Sequence, residues 1–285
     1  MKIPIFALYA IAITFMANQA LADLSRIENK EGVVYYHGDP SKKRVALTFD
    51  DGPYEPYTSE ILEILKSNDI KATFFLIGDN VKDFPECAKR IVRYGHAIGN
   101  HTFYHPDLRF ISVLGIRREI NRGEDIIFKT TGVKTSLFRP PYTCVNERIN
   151  RQANNSGYTV IGWSVSSKDG GKKIKPEKIA EITLPYVKNG SIILLHDGDR
   201  IKGSSRLETV KALPLIIKSL KEQGYHFVTI PQLLRIQGTF DEGGFLLWRN
   251  PIFYDKLKID ILHFLCNPSL LAYKYLADFC LSPVF

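Results

Sequence analysis

The chain has 285 residues, of which 45% are hydrophobic and 24% are charged, close to the averages of globular domains. This composition excludes a disordered chain, a collagen-like repeat and a small disulfide-rich protein, while the length allows one or two domains. The formal net charge is +8, but the basic residues are spread along the chain, so no nucleic-acid partner is expected. A charge of this kind favours loose association with an anionic polymer.

The first predicted element is a signal peptide over residues 1–22. Lys2 precedes an apolar run over 3–17, and Ala20-Leu21-Ala22 supplies the small residues that signal peptidase reads before Asp23. The alternative is a membrane anchor, but the run is shorter than the roughly 20 residues that span a bilayer. We therefore expect an exported protein, periplasmic or extracellular, without a transmembrane span after cleavage.

After a lead-in segment over 23–42, residues 43–237 alternate short strand-like runs with longer amphipathic stretches. This alternation is typical of βα units around a parallel sheet. Apolar residues at helical spacing predict helices such as 59–67 and 208–223. We predict an α/β fold, a distorted or incomplete (β/α)7 barrel. Its predicted strands are 45–49, 72–77, 97–100, 136–138, 159–163, 192–195 and 227–230.

The pattern changes after Gln237, where glycines interrupt it and a tail rich in aromatic and aliphatic residues follows. We expect residues 238–285 to be a helical C-terminal extension packed on the barrel. The alternative is an amphipathic segment that contacts a membrane surface or a partner. The four cysteines could pair in an oxidising compartment, and their spacing matches no metal-site pattern. They are Cys87, Cys144, Cys266 and Cys280.

Polar clusters follow four of the predicted strands, at the end that faces the active site in barrels. Asp50 and Asp51 follow the first strand, where adjacent carboxylates form either a solvated turn or part of a site. His101 and His105 follow the third strand. One helical turn between them would place both imidazoles on one face, where they could bind a single metal ion.

Two more clusters follow the fourth and sixth predicted strands. Arg139-Pro140-Pro141-Tyr142 carries two prolines that stiffen the loop and would fix an arginine and a backbone N–H. In His196-Asp197 the histidine is a candidate acid or base, and the alternative is a helix-capping aspartate beside a histidine. Together the four clusters supply ligands for a divalent ion, a carboxylate base and an imidazole acid. This set predicts metal-assisted hydrolysis.

In order and spacing, these motifs resemble those of the polysaccharide deacetylase (NodB homology) family of carbohydrate esterases, over residues 43–237. The resemblance implies that Asp50 is the catalytic base. It also implies that Asp51, His101 and His105 bind the metal ion. Zinc is the ion that the family favours, although two histidines and one carboxylate also suit Co²⁺, Ni²⁺, Mn²⁺ or Fe²⁺.

The resemblance assigns roles to five further residues. Arg139 would pair with the catalytic aspartate, the backbone N–H of Tyr142 would help to bind the oxyanion, and Leu194 would line the acetyl pocket. His196 would protonate the leaving group, and Asp169 would orient His196.

The chain departs from the family in the stretch from Trp163 to Gly170. Gly170 stands where the family has a tryptophan that forms one wall of the substrate groove. Ser164 and Ser166 occupy positions where aspartate is frequent. We keep Trp163 as a candidate substrate-binding residue, and we expect the shape of the sugar site to differ from that of the family.

The implied activity is removal of N-acetyl groups from a polysaccharide or oligosaccharide that contains N-acetylglucosamine, with peptidoglycan preferred over chitin. A second possibility is O-deacetylation of an acetylated xylan or exopolysaccharide. A third, of another class, is a catalytically silent glycan-binding envelope protein. The complete acid–base set argues against a silent protein, because a binding protein does not need it.

Overall fold

A computed structural model describes residues 33–171, 174–201 and 203–236. The predicted signal peptide, residues 23–32 of the lead-in segment, the C-terminal extension and two of the cysteines lie outside the described residues. The two described cysteines, Cys87 and Cys144, are buried free thiols. Within the described ranges, no helix has the length and apolar character needed to cross a membrane.

The described residues form an α/β fold around one parallel sheet that is curled and open, a half-barrel. The sheet order is β1-β6-β5-β4-β3-β2-β8-β7, and β9 pairs with the start of β2. This arrangement confirms the predicted distorted (β/α) barrel. The strands are β1 (Val34–Tyr35), β2 (Arg44–Gly52), β3 (Thr73–Leu76), β4 (Ala97–Asn100), β5 (Leu137–Phe138), β6 (Thr159–Ile161), β7 (Val165–Ser166), β8 (Ile192–His196) and β9 (His226–Phe227).

Helices connect the strands and cover the outer face of the sheet. The longest begins where the Ser112 side chain accepts a hydrogen bond from the N–H of Gly115, and it ends at Gly132, whose φ of 73° is left-handed. The helices are α1 (Tyr57–Ser67), α2 (Gly78–Asp83), α3 (Pro85–Arg93), α4 (Val113–Thr131), α5 (Glu147–Asn155), α6 (Pro176–Thr183), α7 (Leu207–Glu222) and α8 (Ile230–Leu234).

Alternate residues of β2 pack against two different cores. Val45, Leu47 and Phe49 face the helices, in the cluster that contains the buried residues of α1, α3 and α7. Ala46 faces the inside of the curled sheet, in a cluster that includes Ile230 of α8. Because strand side chains alternate, the same inner face carries the side chains at positions 48 and 50.

The main differences from the predicted strands are the end of β2, the last predicted strand, and two short strands that were not predicted. β2 continues past the predicted end at position 49 through Gly52. The last predicted strand, 227–230, is wrong at its end, because Thr229 and Gln232 form a capping box that begins α8. β1 and β7 were not predicted, since each has only two residues and shows no periodicity.

Candidate active site

The carboxyl end of β2 directs both aspartates into the mouth of the barrel, the edge where the strands end. In an unbroken strand Asp50 and Asp51 would point to opposite faces. Here the register shifts between Asp50 and Gly52, and Asp51 has a left-handed φ of 72°. The Asp51 carboxylate oxygen Oδ1 therefore lies 3.4 Å from Nε2 of His101 and 3.2 Å from Nε2 of His105.

The two histidines converge through an irregular loop rather than through one helical turn. Thr102 and His105 both have left-handed φ values, 70° and 56°. Asn100 holds this loop: its Oδ1 accepts from the N–H of Thr102 at 2.9 Å, and its Nδ2 donates to the carbonyl of Ile120 at 2.8 Å. Strained backbone of this kind concentrates at functional sites, where the surrounding structure enforces it.

Asp51, His101 and His105 fit a divalent metal ion. Their ligand atoms lie within 4.8 Å of one another, and all three residues are buried. Nδ1 of His101 donates to the carbonyl of Arg139 at 2.6 Å, which leaves the Nε2 lone pair facing Asp51. The Asp51 Oδ1 atom is buried without a hydrogen-bond partner, a costly arrangement that a bound cation would relieve.

The charge of Asp51 is consistent with this ligand role. Burial raises the pKa of its carboxyl group, but the two imidazoles that face it lower this pKa well below the usual range. Two imidazole nitrogens and one carboxylate oxygen form a donor set that suits several first-row ions.

Arg139 crosses the inside of the barrel and fixes Asp50. Its NH1 donates to Oδ1 of Asp50 at 2.7 Å and to the hydroxyl of Thr48 at 2.9 Å. Its NH2 donates to the carbonyl of Gly162 at 2.8 Å, and the side chain is almost wholly buried, at 1% exposure. The other oxygen of Asp50, Oδ2, lies 3.8 Å from Nε2 of His101, so it faces the metal ligands.

His196 lies beside Asp50, because the two residues are in register across β2 and β8. Its Nδ1 lies 2.7 Å from Oδ1 of Asp169, and its backbone N–H donates to Oδ2 of the same carboxylate at 2.8 Å. Burial lowers the pKa of His196, but the Asp169 carboxylate outweighs this effect and raises the pKa to about 9. This shift favours the protonated imidazole, the form that a general acid needs.

The groups that hold Asp169 were not predicted from the sequence. The hydroxyls of Ser167 and Thr209 donate to its carboxylate at 2.5 and 2.8 Å. Arg206 donates from Nε to the carbonyl of Gly198 at 2.7 Å and from NH1 to the carbonyl of Asp169 at 3.3 Å. Thr209 and Arg206 lie near the start of α7, about 40 positions from Asp169, and no local pattern connects them.

Asp197 lies against the end of β2 and contacts Thr58. The alternative interpretation of Asp197 as a helix cap is therefore wrong. Its Oδ2 lies 2.6 Å from the hydroxyl of Thr58, and its Oδ1 is buried without a partner. Burial raises the pKa of this carboxyl group to about 7. Gly52 must be a glycine here, since a Cβ would lie 2.1 Å from Oδ2 of Asp197.

The predicted substrate-contacting residues surround this centre. Leu194 is buried in β8 beside Thr48, and Tyr142 is half exposed, with its ring centroid 4.7 Å from that of His105. Trp163 is partly buried against the inner core of the barrel. A Cβ on Gly170 would lie 2.6 Å from Cε1 of His196, so this glycine lies against the imidazole ring. The substrate roles of Leu194, Tyr142 and Trp163 stay predictions.

Comparisons with known proteins agree with this geometry. The sequence profile of the family described as polysaccharide deacetylase matches residues 37–161. A peptidoglycan-N-acetylglucosamine deacetylase of Bacillus cereus is 38% identical over 202 residues, which cover 70% of this chain and 71% of that protein. The chain belongs to the polysaccharide deacetylase family.

Two solved structures of this polysaccharide deacetylase family also resemble the chain. The crystal structure of a peptidoglycan N-acetylglucosamine deacetylase matches with a TM-score of 0.69 and 36% identity, over 75% of this chain and 97% of that one. A CE4 family pseudoenzyme from Bacillus anthracis matches with a TM-score of 0.66 and 32% identity, over 72% of this chain and 70% of that one. The family therefore includes both enzymes and a pseudoenzyme.

Proposed function

We propose that this polysaccharide deacetylase is an exported, zinc-dependent enzyme that removes the N-acetyl group from N-acetylglucosamine residues of peptidoglycan. The observation that carries the proposal is the convergence at one mouth of three parts. They are the metal-ligand trio, the Asp50–Arg139 ion pair and the His196–Asp169 pair. A pseudoenzyme or a simple glycan-binding protein has no need of all three.

The mechanism assigns one task to each part. A divalent ion held by Asp51, His101 and His105 supplies activation of water and polarisation of the acetyl carbonyl. Asp50, held in place by its ion pair with Arg139, accepts the proton of the attacking water. His196 donates its proton to the amine nitrogen as the carbon–nitrogen bond breaks, so that acetate and a free amine leave.

Two further residues complete the mechanism. The backbone N–H of Tyr142 donates a hydrogen bond to the developing oxyanion, an interaction worth about 3–4 kcal/mol in comparable sites. Leu194 packs against the acetyl methyl group, since it lies on the inner face of β8 two residues before His196. Asp169 does not touch the substrate and acts by holding His196 protonated and in place.

The proposed substrate and compartment rest on the relatives and on the amino terminus. The Bacillus cereus relative acts on peptidoglycan N-acetylglucosamine. The apolar run after Lys2, with its small residues before Asp23, supports export to the space where such polymers lie. The net charge of +8 supports association with an anionic envelope polymer.

Acetate release from three polymer classes tests the activity. The purified protein, loaded with zinc or treated with a chelator, is incubated with peptidoglycan, chitooligosaccharides and acetylated xylan. We expect zinc-dependent acetate release from the first two. Release from xylan alone would replace N-deacetylation by O-deacetylation, and tight glycan binding without acetate release would indicate a silent binding protein. Metal analysis of the protein as purified tests whether the bound ion is zinc.

The Asp50→Asn variant tests the assignment of the base. It keeps the shape of the side chain and removes the proton acceptor, so we expect kcat to fall by about 10²- to 10⁴-fold while the metal content is retained. Glu86→Gln is the matched control, because Glu86 is an exposed carboxylate whose described ion pair is with Lys89 and not with a residue of the site. Near-normal turnover of the metal-loaded Asp50→Asn variant would show that another group is the base.

A further inference from the structure

A small polar cleft opens beside the metal ligands. It has a volume of about 120 Å³ and is lined by Ile77, Asp79, Asn80, Tyr104 and Arg200. Tyr104 belongs to the same loop as the two metal-binding histidines, so the cleft adjoins the reaction centre. The mechanism described above uses none of its side chains.

Hydrogen bonds join the cleft firmly to the metal centre. The N–H of Asp79 donates to the carbonyl of Phe103 at 2.9 Å. The side-chain amide of Asn80 donates to the carbonyl of the metal ligand Asp51 at 2.7 Å and to that of Asp199 at 3.0 Å. A group bound in the cleft is therefore held at a fixed position relative to the metal site.

Tyr104 forms a preorganised aromatic wall. Its ring is 51% exposed, and Arg122 lies 4.8 Å from the ring centroid and donates to its hydroxyl at 3.3 Å. The backbone N–H of Tyr104 donates to the carboxylate of Glu119 at 2.8 Å. An exposed ring fixed in this way loses little side-chain entropy when a ligand packs on it.

Asp79 and Arg200 supply unused polar groups. No hydrogen bond or ion pair joins either side chain to any residue in 33–171, 174–201 or 203–236. One offers hydrogen-bond acceptors and the other offers donors, and their charges cancel. Together with the ring of Tyr104, they suit a neutral group that has an apolar face and hydroxyls around its edge. A pyranose ring has this chemistry.

The size of the cleft points to one sugar ring of a longer chain. Pockets that enclose whole drug-sized ligands have volumes of about 300 Å³ or more, so this cleft does not enclose an oligosaccharide. A ring bound here would belong to the polymer that also places an acetylated residue at the metal site.

We propose that this cleft is a subsite for the sugar ring next to the reacting residue. Tyr104 stacks on the ring, while Asp79 and Arg200 hydrogen bond to its hydroxyls. The proposal rests on the proposed function, because it takes the acetylated substrate to be a sugar chain. It makes these three residues determinants of the preference for long substrates over short ones.

The preference for chain length is the direct test. For zinc-loaded enzyme, kcat/KM is measured with N-acetylglucosamine oligomers of two and four residues, and the ratio of the two values is compared between variants. We expect Tyr104→Ala to lower the four-to-two ratio by about tenfold, which corresponds to about 1.4 kcal/mol of binding free energy. Arg200→Leu should lower the ratio too, and Tyr104→Phe should lower it less than Tyr104→Ala.

Tyr186→Ala is the control, because Tyr186 is an exposed tyrosine that precedes β8, at the end of the barrel opposite the mouth. An unchanged ratio in Tyr104→Ala and Arg200→Leu would overturn the proposal, whether or not total activity falls. A wild-type ratio near one would overturn it as well.

Calorimetric titration of the four-residue oligomer separates this proposal from the proposed function. If the wild-type protein releases no acetate but binds the oligomer more tightly than Tyr104→Ala does, the subsite stands and the deacetylase assignment fails. If the wild-type protein neither binds nor hydrolyses the oligomer, the subsite fails too.

Discussion

Gly170 lies against the imidazole of His196, where a Cβ would come too close to the ring of the proposed acid. A Cβ at position 170 would lie 2.6 Å from Cε1 and 2.8 Å from Nε2 of that ring. The ring cannot move freely, because Asp169 holds its Nδ1. We expect Gly170→Ala to displace the ring and to lower kcat by about tenfold or more, since misplacement by about 1 Å can cost 10²-fold.

The neighbouring glycine provides the control for this prediction. A Cβ at Gly171 would meet no atom within 4 Å, so Gly171→Ala should keep the rate of the wild type. Steady-state kinetics and metal content of both variants give the comparison. Equal rates for the two variants would mean that the acid does not depend on the space left by Gly170.

The pH dependence of kcat reports the ion pair between His196 and Asp169. The pKa of His196 is raised to about 9 and the proposed acid works in its protonated form, so kcat should fall as pH rises through that value. Asp169→Asn removes the charge that raises this pKa. Its alkaline limb should move to lower pH, and its kcat should fall at neutral pH.

The comparison is made on pH profiles of kcat for the metal-loaded wild type and Asp169→Asn. Lys168→Gln serves as the control, since Lys168 is an exposed neighbour of Asp169. An alkaline limb that stays in place in Asp169→Asn would assign it to another group.

At the level of single residues, the sequence predicts the candidate reacting groups and two residues that hold them, Arg139 and Asp169, but misses the residues that hold Asp169. Asp50, Asp51 and His101 can be predicted because each follows a strand-like run in a recognisable motif. Thr209 and Arg206 cannot, because their contacts with Asp169 exist only after α7 packs beside β8. Buried hydrogen-bond partners of this kind depend on tertiary structure and leave no periodic signal.

Helix α4 supports the metal-binding loop as an element, because its backbone comes very close to that loop. A Cβ on Gly123 would lie 2.5 Å from Oδ1 of Asn100 and 3.1 Å from the carbonyl group of Thr102. In an exposed helix interior, alanine is more stable than glycine by about 1 kcal/mol. At Gly123 we expect alanine to be unfavourable instead, because its Cβ would displace the metal-binding loop. Gly123→Ala should therefore lower metal affinity by about tenfold or more, as loss of supporting contacts does.

Gly115, in the first turn of the same helix, is the matched control. A Cβ there would meet its nearest neighbours at 3.4 Å, which is ordinary contact, so Gly115→Ala should keep metal affinity and stability. Zinc titrations and thermal unfolding of both variants test this. Equal zinc affinity in Gly123→Ala and Gly115→Ala would show that the loop does not depend on the close approach of α4.

Elements were predictable where they are long and regular. β4 has the predicted bounds, because a short apolar run between polar stretches marks it. The bulge at Asp51 and the irregular loop between His101 and His105 were not predictable, since left-handed φ values at non-glycine residues show no pattern in a single sequence. These two irregularities, rather than regular strand or helix geometry, bring the metal ligands together.

In the described part of the molecule, the interior divides into an apolar floor and a polar mouth. Ile230 and Leu233 of α8 pack in the inner core, while Arg139 bridges β2, β5 and β6 above it. The alternation of inner and outer residues along strands predicts this division. An incomplete barrel was predicted, but the two strands at the edges of the opening, β1 and β7, were not, because their pairing depends on tertiary structure rather than on any local pattern.

Because the metal ligands come from two separate segments, bound metal should stabilise the whole fold. Asp51 comes from β2, and His101 and His105 follow β4, so a cation binds the folded protein far better than the unfolded chain. Zinc at about 100 times its dissociation constant adds about 2.7 kcal/mol to the free energy of unfolding.

We therefore expect zinc to raise Tm and a chelator to reverse the rise. His105→Ala should lose this zinc-dependent rise, whereas His226→Ala, which changes an exposed histidine at the start of β9, should keep it. Thermal unfolding of the three proteins with zinc and with chelator gives the comparison. A zinc-dependent rise of equal size in His105→Ala would place the stabilising ion elsewhere.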